Sequence, residues 1–245
     1  MPDFSKRSYQ LELLDDPGIP FEDIRLNMQE LEFINSRLGG HAITMDGVLS
    51  LMGKRKNIHI CEIGCGGGDN LNAIESYCKK TGIDARFTGI DIKDTCIEYA
   101  QTNTAEIRNI NLICSDYRKA ILNEKPDIIF SSLFCHHFSD ENVKQIIEWK
   151  YANSRLGFFI NDLHRHPLAY HSIRLLSKAF SSSYLVKNDA PLSVKRGFSR
   201  EDWKRIFSSV EIPGISPNIR WKWAFRWLIT VSKDTIPINT RNISY

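Results

Sequence analysis

Three places in this 245-residue chain hold residue types at spacings that could do chemistry. The first is Ile58-His59-Ile60-Cys61-Glu62-Ile63-Gly64-Cys65-Gly66-Gly67-Gly68-Asp69-Asn70-Leu71, an apolar run that ends in an acid and a glycine cluster. Glycines at 64, 66, 67 and 68 carry no Cβ and reach positive φ, so a sharp turn there can bring a ligand onto bare main chain. The second is Asp91, a carboxylate closing another apolar run. The third is His136-His137, with Asp162, His164 and His166 further on. Imidazole titrates near neutral pH and can take a proton from a hydroxyl, and a neighbouring carboxylate can orient it or hold its imidazolium form. The candidate base is therefore His136 or His137, oriented by Asp162, with His164 as a second base. Adjacent residues on an extended segment point to opposite sides, so one member of the pair faces an acceptor, and which one stays open.

These residues sit where an alternating fold would gather them. Apolar, β-branched runs at 58–63, 86–91, 110–115, 125–133 and 155–161 read as strands, and amphipathic stretches at 70–80, 94–105, 140–151 and 169–180 read as helices. Alternation of this kind predicts an α/β fold with a parallel sheet, in which ligands meet the carboxyl ends of the strands at the switch point. The glycine turn, Asp91 and the His pair all lie at such ends, and Asp91 is placed to accept both ribose hydroxyls of an adenosine. Residues 219–222 and 225–231 predict a closing antiparallel hairpin. Ahead of the sheet, Ile24, Met28, Leu31, Ile34 and Leu38 share one helical face with a stop at Gly39-Gly40, and Ala42, Met45, Leu49 and Met52 form the stripe of a second helix. The first twenty residues read as a polar arm. Residues 181–196 read as a polar connection too long to be ordinary, placed where a substrate is chosen. His166, before Pro167, reads as structural, and the pair at 164 and 166 lacks the further clustered ligand a metal needs, so no metal is expected.

The glycine stretch is not a dinucleotide fingerprint, because Asp69 stands where G-x-G-x-x-G needs its third glycine. Acid-x-Gly-x-Gly-x-Gly, as Glu62, Gly64, Gly66 and Gly68, resembles instead the first motif of class I S-adenosylmethionine (SAM) dependent methyltransferases. An acid attracts the amino and sulfonium cations of SAM, where it would repel a pyrophosphate. The resemblance implies a Rossmann-like doubly wound seven-stranded sheet, mostly parallel with an antiparallel C-terminal hairpin, plus N-terminal helices. It implies an arm and lid helices over 1–55 and a SAM-binding domain over 56–245, with a substrate-side insertion around 163–198. Plain core packing is the alternative for those N-terminal helices. It further implies a cofactor site of Glu62, Gly64, Cys65, Gly66, Gly68, Asn70, Asp91, Ile92, Ser115, Asp116, Tyr117 and Ser132, with Asp116 bonding the adenine amine and Tyr117 packing on the ring. More narrowly, residues 31–40, 161–165 and 192–198 look like a bacterial group of small-molecule methyltransferases of polyketide-type biosynthesis. That likeness implies a phenol or enol hydroxyl of an aromatic or polyketide-type acceptor. Arg165, Lys195 and Arg196 would suit an acidic group on it, or the phosphopantetheine arm of an acyl carrier protein presenting it.

Hydrophobic content of 42% and charged content of 25% are ordinary for a soluble globular chain. The longest apolar runs, such as 156–160, fall far short of the roughly 18 to 20 residues a membrane span needs. No signal-peptide pattern opens the chain, so it is expected in the cytoplasm. Six cysteines without paired C-x-x-C spacing read as reduced structural thiols. Charge is split: residues 1–162 hold 18 Lys+Arg against 24 Asp+Glu, and residues 163–245 hold 14 against 5. The basic third, with Trp203, Trp221, Trp223 and Trp227, supports an RNA methyltransferase as an alternative. Against nucleic acid, the tryptophans alternate as packing on a strand would, and Ser132-Leu133-Phe134 stands where an amino-acceptor motif would be. A non-catalytic SAM- or partner-binding module is the remaining alternative.

Overall fold

The computed structural model describes residues 3–16 and 18–233. Residues 234–245 of the expected SAM-binding domain lie outside the described residues. After the arm, which carries one 3-10 turn at Leu13–Asp15, come α1 (Phe21–Arg37) and α2 (Gly40–Met52). Gly39, at φ 77°, takes the left-handed conformation that lets one helix turn directly into the next. The sheet then builds as β1 (Asn57–Ile63), α3 (Asp69–Thr81), β2 (Asp84–Asp91), α4 (Asp94–Asn103), β3 (Ile110–Cys114), β4 (Ile128–Ser132), α5 (Asp140–Asn153) and β5 (Gly157–Leu163). Helices α6 (Pro167–Phe180), α7 (Tyr184–Arg196) and α8 (Arg200–Ser209) precede β6 (Asn218–Lys222) and β7 (Arg226–Ser232).

The strands lie in the order β3-β2-β1-β4-β5-β7-β6. All pairings from β3 to β5 are parallel, and β7 pairs antiparallel with β5 and with β6. This is a Rossmann-like doubly wound seven-stranded sheet. Its order reverses between β1 and β4, so their carboxyl ends open the crevice in which such sheets bind ligands. Both strands are covered on both faces: Ile58 and Ile60 enter one core with Phe130 and Phe159, while Cys61 and Ile63 enter the other with Ile129, Phe158 and Trp203. Trp227 joins the second core, so two of the four tryptophans weighed as nucleic-acid contacts are interior.

The two N-terminal helices part ways. Helix α2 is core: Ile43, Val48, Leu51 and Met52 are buried against the sheet, and Gly47 admits the Phe159 ring, whose nearest atom lies 2.6 Å from where a Cβ would stand. Helix α1 turns Met28, Leu31, Ile34 and Leu38 toward the crevice.

Two expectations need correction. Residues 181–196 are not a polar connection: Ser183 caps α7 by accepting the Val186 N–H, and Leu185, Val186, Leu192 and Val194 are buried along it. Pro191 inside the helix and the polar run 187–189 masked that periodicity. Nor is the arm merely polar lead-in, since Arg7 and Glu12 are buried.

Helix α8 starts with a reciprocal cap: Ser199 accepts the Asp202 N–H at 3.1 Å, and Asp202 accepts the Ser199 N–H at 2.8 Å. Asp202 also accepts from Arg165 at 2.7 Å and from Arg205 at 2.8 Å. Burial of this carboxyl opposes ionisation, but the Ser199 N–H and the two guanidinium groups outweigh it and bring its pKa down to about 2. A depressed carboxyl pKa stabilises the fold fully above the ordinary value of 3.8 and loses that contribution as pH falls through about 2. Asp202→Asn should therefore cost about 2 to 4 kcal/mol at neutral pH, because it leaves Arg165 buried without its carboxylate. Urea unfolding should also show a flatter acid limb for the variant than for the wild type.

Candidate active site

A cavity of about 670 Å³ opens at the carboxyl ends of β1 and β4. Its cofactor side begins with Glu62, the penultimate residue of β1. One carboxylate oxygen accepts from Asn70 Nδ2 at 3.0 Å, and the other is buried without a partner. Burial pushes this carboxyl well above the ordinary carboxylate range, and the negative charge of Asp69 adds to the shift. Ser132 Oγ, at the end of β4, is a second buried polar atom without a partner, and both residues line the cavity. Buried groups in this state are those a ligand with N–H or O–H donors would satisfy. Asp91 lines the same wall, with one oxygen accepting the Gly66 N–H at 2.9 Å and the other the Lys93 N–H at 3.0 Å. Burial raises its pKa. The carboxylate thus fastens the glycine turn to the end of β2, and its unused lone pairs remain for a diol.

Gly64, Gly66 and Gly68 take the positive φ read in the sequence, and Gly64, Gly66 and Gly67 line the cavity, but their lack of a Cβ has a second use. A Cβ on Gly64 would lie 2.2 Å from the Phe134 ring, on Gly67 2.7 Å from Tyr99 and on Gly68 2.6 Å from Thr104. These three make room for protein, and Gly68 does not line the cavity at all but caps α3 at φ 76°. Gly66, at φ 49°, lies in the wall with Met28 Sδ no nearer than 3.5 Å, and it is the position that leaves main chain bare. Cys65, Asn70, Ile92, Ser115, Asp116 and Tyr117 also line the cavity. The Asp116 carboxylate is already bonded by Arg118, which holds its pKa below the ordinary range. Tyr117 is buried edge-on against Phe134 and Trp149.

At the end of β4, Cys135–His137 form a 3-10 turn and not an extended segment. The two imidazoles consequently lie side by side, with ring centroids 4.3 Å apart, and both line the cavity. His136 is buried and its Nδ1 lies 2.8 Å from Asp162 Oδ1. Asp162 is fully buried behind it and accepts main-chain N–H groups of Cys135 at 2.7 Å and Leu163 at 2.8 Å. His164 is not a second base in this cavity. Its Nδ1 accepts the Trp221 Nε1–H at 3.1 Å, it does not line the wall, and burial beside His166 and Arg165 lowers its pKa to about 4.

The arm contributes what the sequence did not indicate. Glu12, Leu14 and Asp15 line the cavity, with Glu12 Oε1 3.7 Å from His136 Nε2 and Glu12 Oε2 3.8 Å from His137 Nδ1. Donor atoms of Glu12, His136 and His137 lie within 4.8 Å of one another, a spacing that could hold a cation or a hydroxyl; His164 and His166 are not part of such a group. No periodicity or motif marks residue 12, and only the tertiary fold brings it to residue 136. The arginines expected to greet an acidic substrate are committed elsewhere. Arg165 bonds Asp202, Gly197 O and Phe4 O, while Arg196 bonds the carbonyls of Gln10, His136 and His137. The rest of the acceptor side is apolar, with Leu31, Ile34 and Leu38 of α1 facing Ile173 and Leu176 of α6 and Val194 of α7.

Residues 60–156 match the family described as "Methyltransferase domain". The plantazolicin methyltransferase BpumL, solved in complex with SAH, superposes with a TM-score of 0.65 at 18% identity, over 90% of this chain and 92% of that one. Human N-acetylserotonin methyltransferase, solved with SAM, gives a TM-score of 0.60 at 21% identity, over 94% of this chain and 63% of that one. A malonyl-[acyl-carrier protein] O-methyltransferase of Acetivibrio thermocellus is 34% identical over 103 residues, 40% of this chain, which spans only 33% of that relative. The fold is thus that of class I SAM-dependent methyltransferases.

A cationic cofactor amine placed beside Glu62 would give binding a proton signature. Burial raises the pKa of this carboxyl in the free protein, and a cationic amine beside it would lower it, so between the two values binding expels a proton and affinity rises with pH. Calorimetric titration with SAM in buffers of different ionisation enthalpy should register proton release. Glu62→Gln should abolish that release and weaken binding about tenfold or more.

Proposed function

We propose that this chain, a methyltransferase-domain protein on the class I SAM-dependent fold, moves the methyl group of SAM to a phenol or enol hydroxyl of a small, apolar, aromatic or polyketide-type acceptor. The observation that carries the reading is the His136–Asp162 couple, whose imidazole lines the same cavity as the glycine turn. Asp162 takes the Nδ1–H of His136, which leaves Nε2 as the basic lone pair on the side of Glu12 and the cavity. A hydroxyl placed there gives its proton to Nε2, and Asp162 with Glu12 balances the imidazolium that forms. Bound SAM supplies a sulfonium methyl with a neutral thioether as leaving group. The chain's own part is to align the acceptor oxygen with that methyl and keep water out, for which the apolar wall of α1, α6 and α7 is suited. Glu62, Asn70, Asp91 and Ser132 would hold the cofactor's polar groups, with Ile92 and Tyr117 beside the base.

A free acceptor is favoured over a carrier-bound one, because Arg165 and Arg196 are saturated by their own chain. RNA is disfavoured, since Trp203, Trp227, Arg165, Arg196 and Arg226 are buried and contribute no basic aromatic face. A histidine lining the cavity and backed by a buried carboxylate also speaks against a module without turnover.

In a methyl-transfer assay over a panel of phenols and enolisable ketones, His136→Ala should lower kcat by about 10² to 10⁴-fold. Its SAM affinity should stay within about twofold, as expected for a group that acts on the acceptor and not on the cofactor. Wild-type turnover by His136→Ala would remove the base assignment, and methyl transfer confined to an RNA would remove the acceptor class.

A further inference from the structure

Helix α6 wears its apolar stripe on the outside. Leu168, Leu175, Leu176 and Phe180 recur at the i, i+7, i+8, i+12 spacing that normally faces a core, yet Leu175 is 70% and Phe180 83% exposed. The residues of the helix that are buried are small, Ala169 and Ser177, while Ile173 is half-buried at the cavity. Along one flank of the stripe stand Arg174 and Lys178, both exposed, with His171, and the helix carries no acid. The nearest acid at its end, Glu30, is occupied by the Ser182 and Ser183 N–H groups.

The stripe continues into the cavity. Leu176 belongs to both, being 41% exposed on the surface and part of the wall, and Trp223, 69% exposed, lines the wall near it. Phe33 of α1 is exposed on the turn after Glu30, whose bonds to 182 and 183 place it by the end of α6. The apolar outer face of α6 thus adjoins the cavity through Leu176, which belongs to both.

We infer that this face docks on an anionic lipid surface and that the acceptor carries a long apolar chain, taken from that surface through the rim. Resting on the reading of the cavity as an acceptor site, it names where the acceptor comes from. An amphipathic helix with leucines and a phenylalanine on one side, cations on its flank and one tryptophan lining the adjoining cavity suits a membrane interface without spanning it. No helix among the described residues is long and apolar enough to cross a membrane, so such contact would be peripheral. The cations match the sign of an acidic leaflet. A second copy of the chain packed α6 to α6 would cover the apolar stripe but would set Arg174 and Lys178 against like charges, since the helix carries no acid.

The test is flotation of the full chain with phosphatidylcholine vesicles, with and without phosphatidylglycerol, alongside sedimentation of the protein alone. The chain should float with the anionic vesicles, with a blue shift of tryptophan emission as Trp223 enters the interface. Leu175→Ser with Phe180→Ser should weaken partitioning about tenfold or more, and Arg174→Glu with Lys178→Glu should weaken it and remove its salt sensitivity. None of these four residues lines the cavity, so SAM titration should be unchanged and reports that the variants are folded. Failure to float, flotation undiminished in both double variants, or a dimer in solution that both double variants dissolve would each overturn the inference. Flotation by a protein that does not bind SAM would leave the docking surface standing and withdraw the proposed reaction.

Discussion

A carboxylate with no exposure to water governs the acceptor side of this molecule. Asp162 lies at the end of β5, and besides the neighbouring Leu163 N–H it bonds the turn after β4: the Cys135 N–H at 2.7 Å, the His136 N–H at 3.3 Å and His136 Nδ1 at 2.8 Å. Burial alone would drive this acid to its neutral form, but His136 and the main-chain donors hold its pKa below the ordinary range. Because the donors converge on one side chain, the turn has little freedom. Two cations share the cost of that buried charge: burial lowers Lys150 to about 8 and Arg226 to about 10, and Asp162 draws each back up. The position of the imidazole is thus set from behind, by a group that does not line the cavity.

Buried arginines do the same work from the outer side. The guanidinium of Arg196 bonds the carbonyls of His136 and His137, and that of Arg7 bonds those of His136 and Phe138 while lying 4.0 Å over the Phe198 ring. The turn that carries both histidines is clamped at its carbonyls by two forks and at its N–H groups by one carboxylate. Three of the basic residues of the last third, Arg165, Arg196 and Arg226, are therefore internal scaffolding, and a charge count alone does not separate them from the exposed ones.

The sheet was legible because its signals are local: strands covered on both faces read as apolar runs, and their acids and glycines fall at strand ends where the chain must turn. Glu62, Asp91 and His136 were visible on those grounds, and all three line the cavity. What escaped depended on distance along the chain. Glu12 acquires a role only by lying beside residues 136, 137, 193 and 196, and nothing in its neighbourhood of sequence announces that. His164 failed for a related reason, since a strand end marks where a side chain starts and not what it meets, here the Trp221 indole. Three of the four glycines in the turn were read as space for a ligand, whereas the space is filled by Phe134, Tyr99 and Thr104.

The arm is held to α7, far along the chain from it. Arg7 bonds Arg196 O, the Leu13 and Leu14 N–H groups reach Asp189, and Ser8 pairs with Lys195. Contacts of such sequence separation close late, because the loop entropy they must overcome is large. On a ribosome the first fifteen residues emerge long before α7 exists, and they have to wait unpaired until most of the protein has followed. The parallel sheet from β1 to β5 can be assembled in that interval, with its glycine turn in place. The wall that carries Glu12 cannot be, so this protein acquires a half that could hold a cofactor well before it acquires a half that could use one.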